Sequence, residues 1–432
     1  MLIPELLRHI LSRNREHGVR FLYLTAGSVF QLGALSFIIY PYLSRRMEVA
    51  SFAELLLIMT SMNFYVTIFG PSLAMALYRH LGEMGTELRA VYTGALFKIM
   101  LIGLVIIAIL HLPLYGVLTH YWNLSLKEMD YLYALVYMIC LSLDTFLLSR
   151  AHFDYHFRLG FISRFVYFVG TLLIIPFFLV WHNNWMLAFI IAPLMSVSFL
   201  SVSLVRSGMM RLRSHVPWRD VSRFGREAMM FILTGIISQF LMYSDRWILA
   251  AYNVPKPELA YYIIAVQAGL LVSFPVDRMS ELMMPYIGHL SDMNSLTKKQ
   301  ATKSLLSLAL GLIYMATFGL VIGYLFFKLY HPDFMANGWR YFLIILAGTC
   351  FFSIYTFSRA YVFRFFSAPF LYGPFLIGTI VQIGGMVVFL SIERDAVGAA
   401  YGRFLGFLTI GIIYMAACQT KIVEIALSRT EA

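Results

Sequence analysis

The chain has 432 residues, of which 60% are hydrophobic and only 13% are charged, and its mean hydropathy is +0.77. This composition excludes an ordinary soluble domain and predicts a polytopic membrane protein. The net charge of +11 favours contact with anionic lipid headgroups, so membrane lipids are expected partners and nucleic acid is not.

Successive apolar runs of about 20 residues are long enough to cross roughly 30 Å of hydrocarbon. Lipid leaves no backbone group without a partner, so each run is expected to be a helix and the predicted fold is an all-α bundle of twelve transmembrane helices. The predicted spans are 20–43, 52–77, 90–112, 129–149, 160–182, 185–206, 227–252, 258–286, 303–329, 340–365, 371–392 and 396–418.

The two ends of the chain are predicted to lie in the cytoplasm. Residues 1–19 carry Arg8, Arg13 and Arg15, which interrupt any apolar signal core, so this segment is predicted to be an amphipathic helix on the cytoplasmic interface. With the N-terminus inside, most Lys and Arg fall in cytoplasmic loops, as the positive-inside rule requires. Residues 419–432 then form a cytoplasmic tail.

The longest and most basic connection, "RSGMMRLRSHVPWRDVSRFGRE" (206–227), separates six predicted spans from six. We therefore expect an N-lobe (20–206), a basic cytoplasmic linker (207–226) and a C-lobe (227–418). Aligning the second half on the first places "HLGEM" (80–84) over "HLSDM" (289–293). This match favours parallel repeats, a plan that in transporters places a central substrate path between the two lobes.

Several cations are embedded within the predicted spans. Such residues usually face a bundle interior or a water-filled cavity. Arg359 and Arg403 lie well inside their spans with no acid nearby in the sequence, and arginine offers a planar fork of donors that matches phosphate bidentately, so several arginines at different depths would suit a diphosphate. We predict a cationic cavity for an anionic substrate, lined by Lys98, Gln239, Tyr243, Arg246, Arg278, Arg359 and Arg403.

Four acids within the spans are candidates for ion coupling or for structural pairing. Asp144 lies near the middle of span 4, where a low dielectric favours the protonated carboxyl. It is a candidate site for proton or sodium coupling, and the alternative is a buried acid paired with a neighbouring arginine. Arg164 is expected to reach toward the headgroups. The complete set of acids is Asp144, Asp245, Asp277 and Glu281. Asp245 is expected to pair within its lobe. For Asp277 and Glu281, a local ion pair with Arg278 near the inner interface is one alternative and a functional role is the other.

No catalytic constellation is apparent. The three cysteines lie inside predicted spans, so no disulfide framework, metal centre, cofactor or enzyme active site is predicted. "YGPFLIGTIVQIGG" (372–385) is rich in glycine, which predicts close helix packing in span 11.

Three segments carry a resemblance to a known superfamily. They are "LTGIISQFLMYSDRWILAAYNVPKPELAYYIIAVQAGLL" (233–271), "YPYLSRRMEVASFAELLLI" (40–58) and "FGPSLAMALYRHLGE" (69–83). With twelve spans and a basic middle loop, the chain resembles the polysaccharide transporters of the multidrug/oligosaccharidyl-lipid/polysaccharide exporter superfamily, which include the Wzx-type O-antigen flippases.

The resemblance implies a function and a location. A member of this group would move an undecaprenyl-pyrophosphate-linked oligosaccharide or an exopolysaccharide precursor across the bacterial inner membrane by alternating access, and a polysaccharide polymerase or glycosyltransferases would be candidate partners. Two alternatives stay open. One is a MATE-type cation-coupled drug antiporter of the same superfamily, and the other is a membrane-embedded sugar polymerase or acyltransferase, which the short outer loops disfavour.

Overall fold

The fold is helical throughout the part of the chain that the structure describes. The computed structural model describes residues 15–81, 85–122, 124, 127–154, 156–173, 185–212, 216, 218–288, 293–366, 368–392 and 395–428. No strand occurs in these ranges, which agrees with the predicted all-α class.

Fifteen α-helices follow one another in the described ranges. Helix α1 continues into α2 through a π-helical turn at Ala34–Ile39, and α14 continues into α15 through another at Met415–Gln419. The helices are α1 (Arg15–Gly33), α2 (Tyr40–Ser44), α3 (Val49–Leu81), α4 (Thr86–His111), α5 (Leu114–Tyr121), α6 (Glu128–Phe153), α7 (Phe157–Leu172), α8 (Trp185–Arg206), α9 (Trp218–Ala251), α10 (Lys256–Gly288), α11 (Lys298–Tyr330), α12 (Met335–Phe365), α13 (Ala368–Ile392), α14 (Ala396–Tyr414) and α15 (Thr420–Leu427).

Nine helical stretches within the described residues are long and apolar enough to cross a membrane. They match nine of the predicted spans. The other three predicted spans, 20–43, 160–182 and 227–252, fall on α1 and α2, α7 and α9, which do not meet the same criteria over their described residues. A multi-pass membrane protein is therefore confirmed, and twelve spans in two lobes stays a prediction.

The chain divides into two compact units. One contains Met1–Leu43, Ile58–His120 and Leu124–Gly235, and the other contains Ser44–Leu57, Tyr121–Asn123 and Ile236–Ala432. Helices α3 and α9 each contribute residues to both units.

Helices α4, α6 and α8 build the core of the first unit. Buried leucines, Phe146 and two methionines from the segment after α8 form this cluster. That segment is docked on α4: the Arg211 amide donates to the Ala90 carbonyl at 2.9 Å. Gly94 lets the backbones meet, because a Cβ there would lie 2.0 Å from the Arg211 oxygen. The start of the predicted linker is thus packed against the unit, and α9 begins at Trp218, inside the predicted range 207–226.

Close contact between α13 and α14 organises the second unit. A Cβ on Gly402 would lie 2.8 Å from the Gln382 carbonyl oxygen, and one on Gly406 would lie 2.9 Å from the Gly378 carbonyl oxygen. Small residues four apart allow helices to approach in this way, as the glycine-rich span predicted. Because Gly402 packs directly against α13, this close contact also sets the position of the next residue of α14, Arg403.

Residues 44–57 belong to the second unit through several polar and aromatic contacts. Lys256 forms an ion pair with Glu54, and the Phe52 ring meets the Phe334 ring edge-on at 6.0 Å between centroids. Ser44 Oγ lies 3.5 Å from Nδ1 of His331, whose side chain is buried. The end of α2 and the start of α3 are therefore anchored on residues from the second half of the chain.

The predicted N-terminal helix at 1–19 lies outside the described residues up to residue 14, and α1 begins at Arg15. In the predicted tail, α15 is described to Leu427, and its Ile422 is fully buried in a hydrophobic cluster. The lobe and linker boundaries stay predictions.

Candidate functional site: a cationic cavity in the second unit

A cavity of about 210 Å³ lies within the second unit, between side chains of α9, α10, α12, α13 and α14. Its wall combines apolar and polar side chains, and within a membrane each polar group needs a partner or water. The hydroxyl and amide side chains in the wall are Ser238, Gln239, Ser273, Thr349, Ser353, Tyr355 and Thr356.

Aromatic rings and charged groups complete the wall. Phe352 stacks on Phe407 with 4.6 Å between ring centroids, and Tyr355 and Phe375 meet edge-on at 4.8 Å. The charged lining side chains that the structure describes are Asp277, Arg359 and Arg403. Flat apolar faces beside hydroxyls and guanidinium groups form a surface that can accept a polar, anionic ligand.

Arg359 is the cation most available to such a ligand. It projects from α12 into the cavity and is half-buried. Its Nε is buried without a hydrogen-bond partner among the described residues, and no described carboxylate lies within ion-pair distance. A buried donor without a partner is costly, so an anion that bound Arg359 would relieve that cost.

Arg403 also reaches the cavity, but it is paired. Its Nη1 donates to Oδ2 of Asp245 at 2.5 Å and to the Met242 carbonyl at 3.1 Å. The sequence offered no nearby acid for Arg403, and the structure supplies one from a helix 158 positions away. Both residues lie in the second unit.

Asp245 joins three helices at one buried point. Its Oδ2 also accepts a hydrogen bond from the Tyr262 hydroxyl at 2.6 Å, and its Oδ1 accepts one from the Arg246 amide at 2.9 Å. Its side chain has no exposed surface. Tyr262 was not among the predicted site residues, although it lies in the aromatic start of span 8.

The three predicted cavity residues on span 7, Gln239, Tyr243 and Arg246, do not all line the cavity. Gln239 lines the cavity, whereas Arg246 does not. Arg246 is buried, with Nε 3.9 Å from Oδ1 of Asp245 and its guanidinium 5.0 Å from the centroid of the Tyr243 ring. Arg246 and Tyr243 thus lie behind the cavity wall.

Asp144 forms a separate buried cluster in the first unit. Its Oδ2 accepts a hydrogen bond from Arg164 at 2.5 Å, and its Oδ1 accepts one from Ser196 at 2.5 Å. Ser163 lies 2.7 Å from Ser196, oxygen to oxygen. Arg164 is buried rather than directed to the headgroups, because the carboxylate compensates its charge. This geometry corresponds to the paired-acid alternative for Asp144.

The remaining predicted residues are dispersed. Lys98 is exposed on α4 and does not line the cavity. Asp277 lies in the cavity wall and has an interaction partner of its own. Arg278 and Glu281 lie on α10, and their side chains fall outside the described part of the structure.

Another buried arginine was not predicted to have any role. Arg150 on α6 donates from Nε to the Thr93 hydroxyl at 2.8 Å, and its Nη1 lies 2.6 Å from Asp154. Arg89 reaches the same carboxylate at 3.5 Å. Its position at a helix end gave no signal that it is fully buried.

The sequence matches no protein-family model, and no curated protein matches it at a significant level. Solved structures do match. A multidrug resistance MATE family transporter of the MOP superfamily, in an inward-facing conformation, superposes with a TM-score of 0.70 at 14% identity, covering 99% of each chain. The lipid II flippase MurJ, in an inward closed conformation, also has a TM-score of 0.70 at 14% identity, covering 94% of this chain and 90% of that chain.

The Vibrio cholerae MATE transporter VcmN in the bent form has a TM-score of 0.64 at 15% identity, covering 94% of this chain and 97% of that chain. At such low identity the likeness is one of fold. This chain has the fold of the MATE transporters and the MurJ flippase of the MOP superfamily.

Proposed function

We propose that this protein is a flippase or exporter that moves an anionic, undecaprenyl-pyrophosphate-linked oligosaccharide or polysaccharide precursor across the bacterial inner membrane by alternating access. The observation that carries the proposal is Arg359, whose guanidinium stands in the cavity wall without a described acid partner and whose Nε is buried without a hydrogen bond. A cation in that position requires an anionic ligand or water.

The chemistry of the rest of the wall supports a saccharide ligand. Hydroxyl and amide groups offer the hydrogen bonds that sugar hydroxyls need, and the side chains of Phe352, Tyr355 and Phe375 add apolar surface to the same wall. A volume of about 210 Å³ is smaller than a typical site for a drug-sized molecule. The cavity therefore suits one unit of a larger substrate.

The fold supports the same reading at a coarser level. One of the matching structures is a lipid II flippase, so the fold can move a lipid-linked substrate. Candidate partners are a polysaccharide polymerase and glycosyltransferases, and a proton or sodium gradient is a candidate driving force. Both termini are proposed to lie in the cytoplasm.

A MATE-type cation-coupled drug antiporter is the second candidate. Matching structures of MATE transporters favour it, and so does Asp277, a carboxylate in the cavity wall. The two candidates differ in the charge of the cargo, because an antiporter for organic cations gains nothing from Arg359.

Replacement of Arg359 by glutamine separates them. We expect Arg359→Gln to reduce protein-dependent movement of a labelled lipid-linked oligosaccharide in vesicles at least ten-fold. The reason is that glutamine cannot form the charge-assisted bidentate contact that arginine makes with an anion. Arg340→Gln, an exposed arginine on the same helix, is the matched control and should retain full activity. Unchanged oligosaccharide movement in Arg359→Gln would contradict the proposal.

A further inference from the structure

His111 ends α4 with partners on both of its ring nitrogens. Its Nδ1 lies 3.0 Å from the Tyr131 hydroxyl on α6, and its Nε2 lies 2.6 Å from the Tyr65 hydroxyl on α3. The Tyr65 ring meets the imidazole edge-on, with 4.7 Å between centroids. Only 9% of His111 is exposed. One imidazole therefore joins three helices of the first unit at a buried point.

The neutral imidazole satisfies every polar group at this point. A neutral ring has one donor nitrogen and one acceptor nitrogen, and a tyrosine hydroxyl can partner either. The Tyr131 hydroxyl donates to the His111 carbonyl at 3.5 Å. Its oxygen is then an acceptor for the Nδ1 hydrogen of His111, and Nε2 is the acceptor for the Tyr65 hydroxyl. In this tautomer, both ring nitrogens and both hydroxyls have partners.

A protonated imidazole does not fit as well. A proton on Nε2 turns that nitrogen into a donor, so the hydroxyl hydrogen of Tyr65 loses its acceptor. Protonation also places a positive charge at a buried point, and no described carboxylate lies within ion-pair distance of the His111 ring. A buried charge without compensation is costly. Protonation therefore favours a conformation in which His111 leaves this site and reaches water.

The other titratable groups around His111 do not supply the missing charge. Tyr65 and Tyr131 are neutral phenols, and so is Tyr115 on α5, whose ring lies 5.5 Å from that of Tyr131. The neighbouring acid on α6 is Asp130, which is buried and makes no ion pair with His111. Histidine is the side chain in this group whose ordinary pKa, about 6.5, lies between pH 5 and 8.

Tyr65 connects this contact to a helix that contributes to both units. The residues of α3 up to Leu57 belong to the second unit, and those from Ile58 belong to the first. Tyr65 follows Leu57 by about 12 Å along the helix, and Glu54 is bound to the second unit through Lys256. A movement of one unit against the other has to be absorbed along α3, so a contact that holds Tyr65 restrains that movement.

We propose that His111 is a proton-binding site: its neutral form holds α3 against α4 and α6, and its protonation releases α3 and speeds transport. The inference goes beyond the proposed function, because it concerns the conformational change and not the cargo. It applies to a flippase and to an antiporter alike.

Transport in vesicles with the same pH on both sides tests this assignment. The purified full-length protein exchanges a labelled lipid-linked oligosaccharide between leaflets without a gradient, and the rate is measured from about pH 8 to about pH 5.5. The wild-type rate should rise about two- to ten-fold as the pH falls, which is the effect of one ordinary hydrogen bond. His120→Gln replaces an exposed histidine on α5; it is the matched control and should keep this rise.

Two variants should change the pH profile in different ways. His111→Gln cannot take up a proton, so the rise at low pH should disappear. Tyr65→Phe keeps the imidazole but lacks the hydroxyl that holds α3, so its rate at the highest pH should already equal the wild-type rate at the lowest. If His111→Gln does not fold, the profile of Tyr65→Phe decides, and a wild-type profile in that variant contradicts the proposal.

Three results would overturn the assignment. The first is a wild-type rise in His111→Gln. The second is an equal loss of rate in His111→Gln and Tyr65→Phe at every pH, which a purely structural contact predicts. The third is a wild type that moves the oligosaccharide equally fast at every pH, and in that case the proposed function still stands.

Failure of the proposed function is a separate outcome. A wild type that exchanges organic cations but no oligosaccharide would contradict the proposed function. The same pH profile, measured on cation exchange, would then decide the role of His111.

Discussion

Neutralising Asp144 should destabilise the protein, because Asp144 compensates the charge of a buried arginine. Asp144→Asn leaves the Arg164 guanidinium, which is 5% exposed, without its carboxylate at 2.5 Å. Removing one partner of a buried pair costs about 3 to 5 kcal/mol. The asparagine oxygen can still accept the Ser196 hydroxyl, which limits the hydrogen-bond loss to about 1 kcal/mol. We expect a loss of about 3 kcal/mol in the free energy of unfolding.

The double variant Asp144→Asn/Arg164→Gln should cost less than either single variant, about 1 to 2 kcal/mol, since no charge is left uncompensated. The free energies come from denaturant titration of the full-length protein in mixed micelles. Additive losses in the double variant would refute the pairing argument. An Asp144→Asn protein of normal stability that loses gradient-driven transport would instead support the coupling role that the sequence left open.

Two further predictions concern stability. Gly94→Ala should lower the free energy of unfolding by about 2 kcal/mol, because the added Cβ would lie 2.0 Å from the Arg211 carbonyl oxygen. Thermal unfolding measures this loss. Gly103→Ala on the same helix is the control and should be neutral, because its Cβ would meet nothing within 4 Å. Burial lowers the pKa of His331 to about 3, so the unfolded state binds a proton at a higher pH than the folded state does. The free energy of unfolding should therefore fall as the pH drops from about 6.5 toward 3. His331→Gln should remove that part of the pH dependence, and the same dependence of stability on pH in this variant would contradict a buried neutral His331.

Hydropathy and small-residue patterns predicted most of the helical architecture. The run 303–329 corresponds to α11, whose start is fixed by a capping box between Thr297 and Gln300. The glycines of span 11 predicted close helix packing but not its partner, which is α14. Both features depend on residues close together in the sequence, so a single chain reveals them.

The pairing of charges could not be predicted in the same way. Arg403 and Asp245 are 158 positions apart, and Arg164 reaches an acid on another helix instead of the headgroups. Arg246 was predicted to line the cavity together with Gln239, but its guanidinium lies over the Tyr243 ring instead. Which charges are compensated depends on tertiary contacts, and this decides which arginine is available to a ligand.

The central claim is that the protein moves an anionic lipid-linked oligosaccharide between leaflets. The most direct measurement uses vesicles that contain the purified protein and a labelled undecaprenyl-pyrophosphate oligosaccharide in one leaflet, with and without proton and sodium gradients. We predict protein-dependent appearance of the label in the other leaflet. Absence of such movement under every gradient, together with gradient-driven transport of organic cations, would contradict the account and favour a drug antiporter.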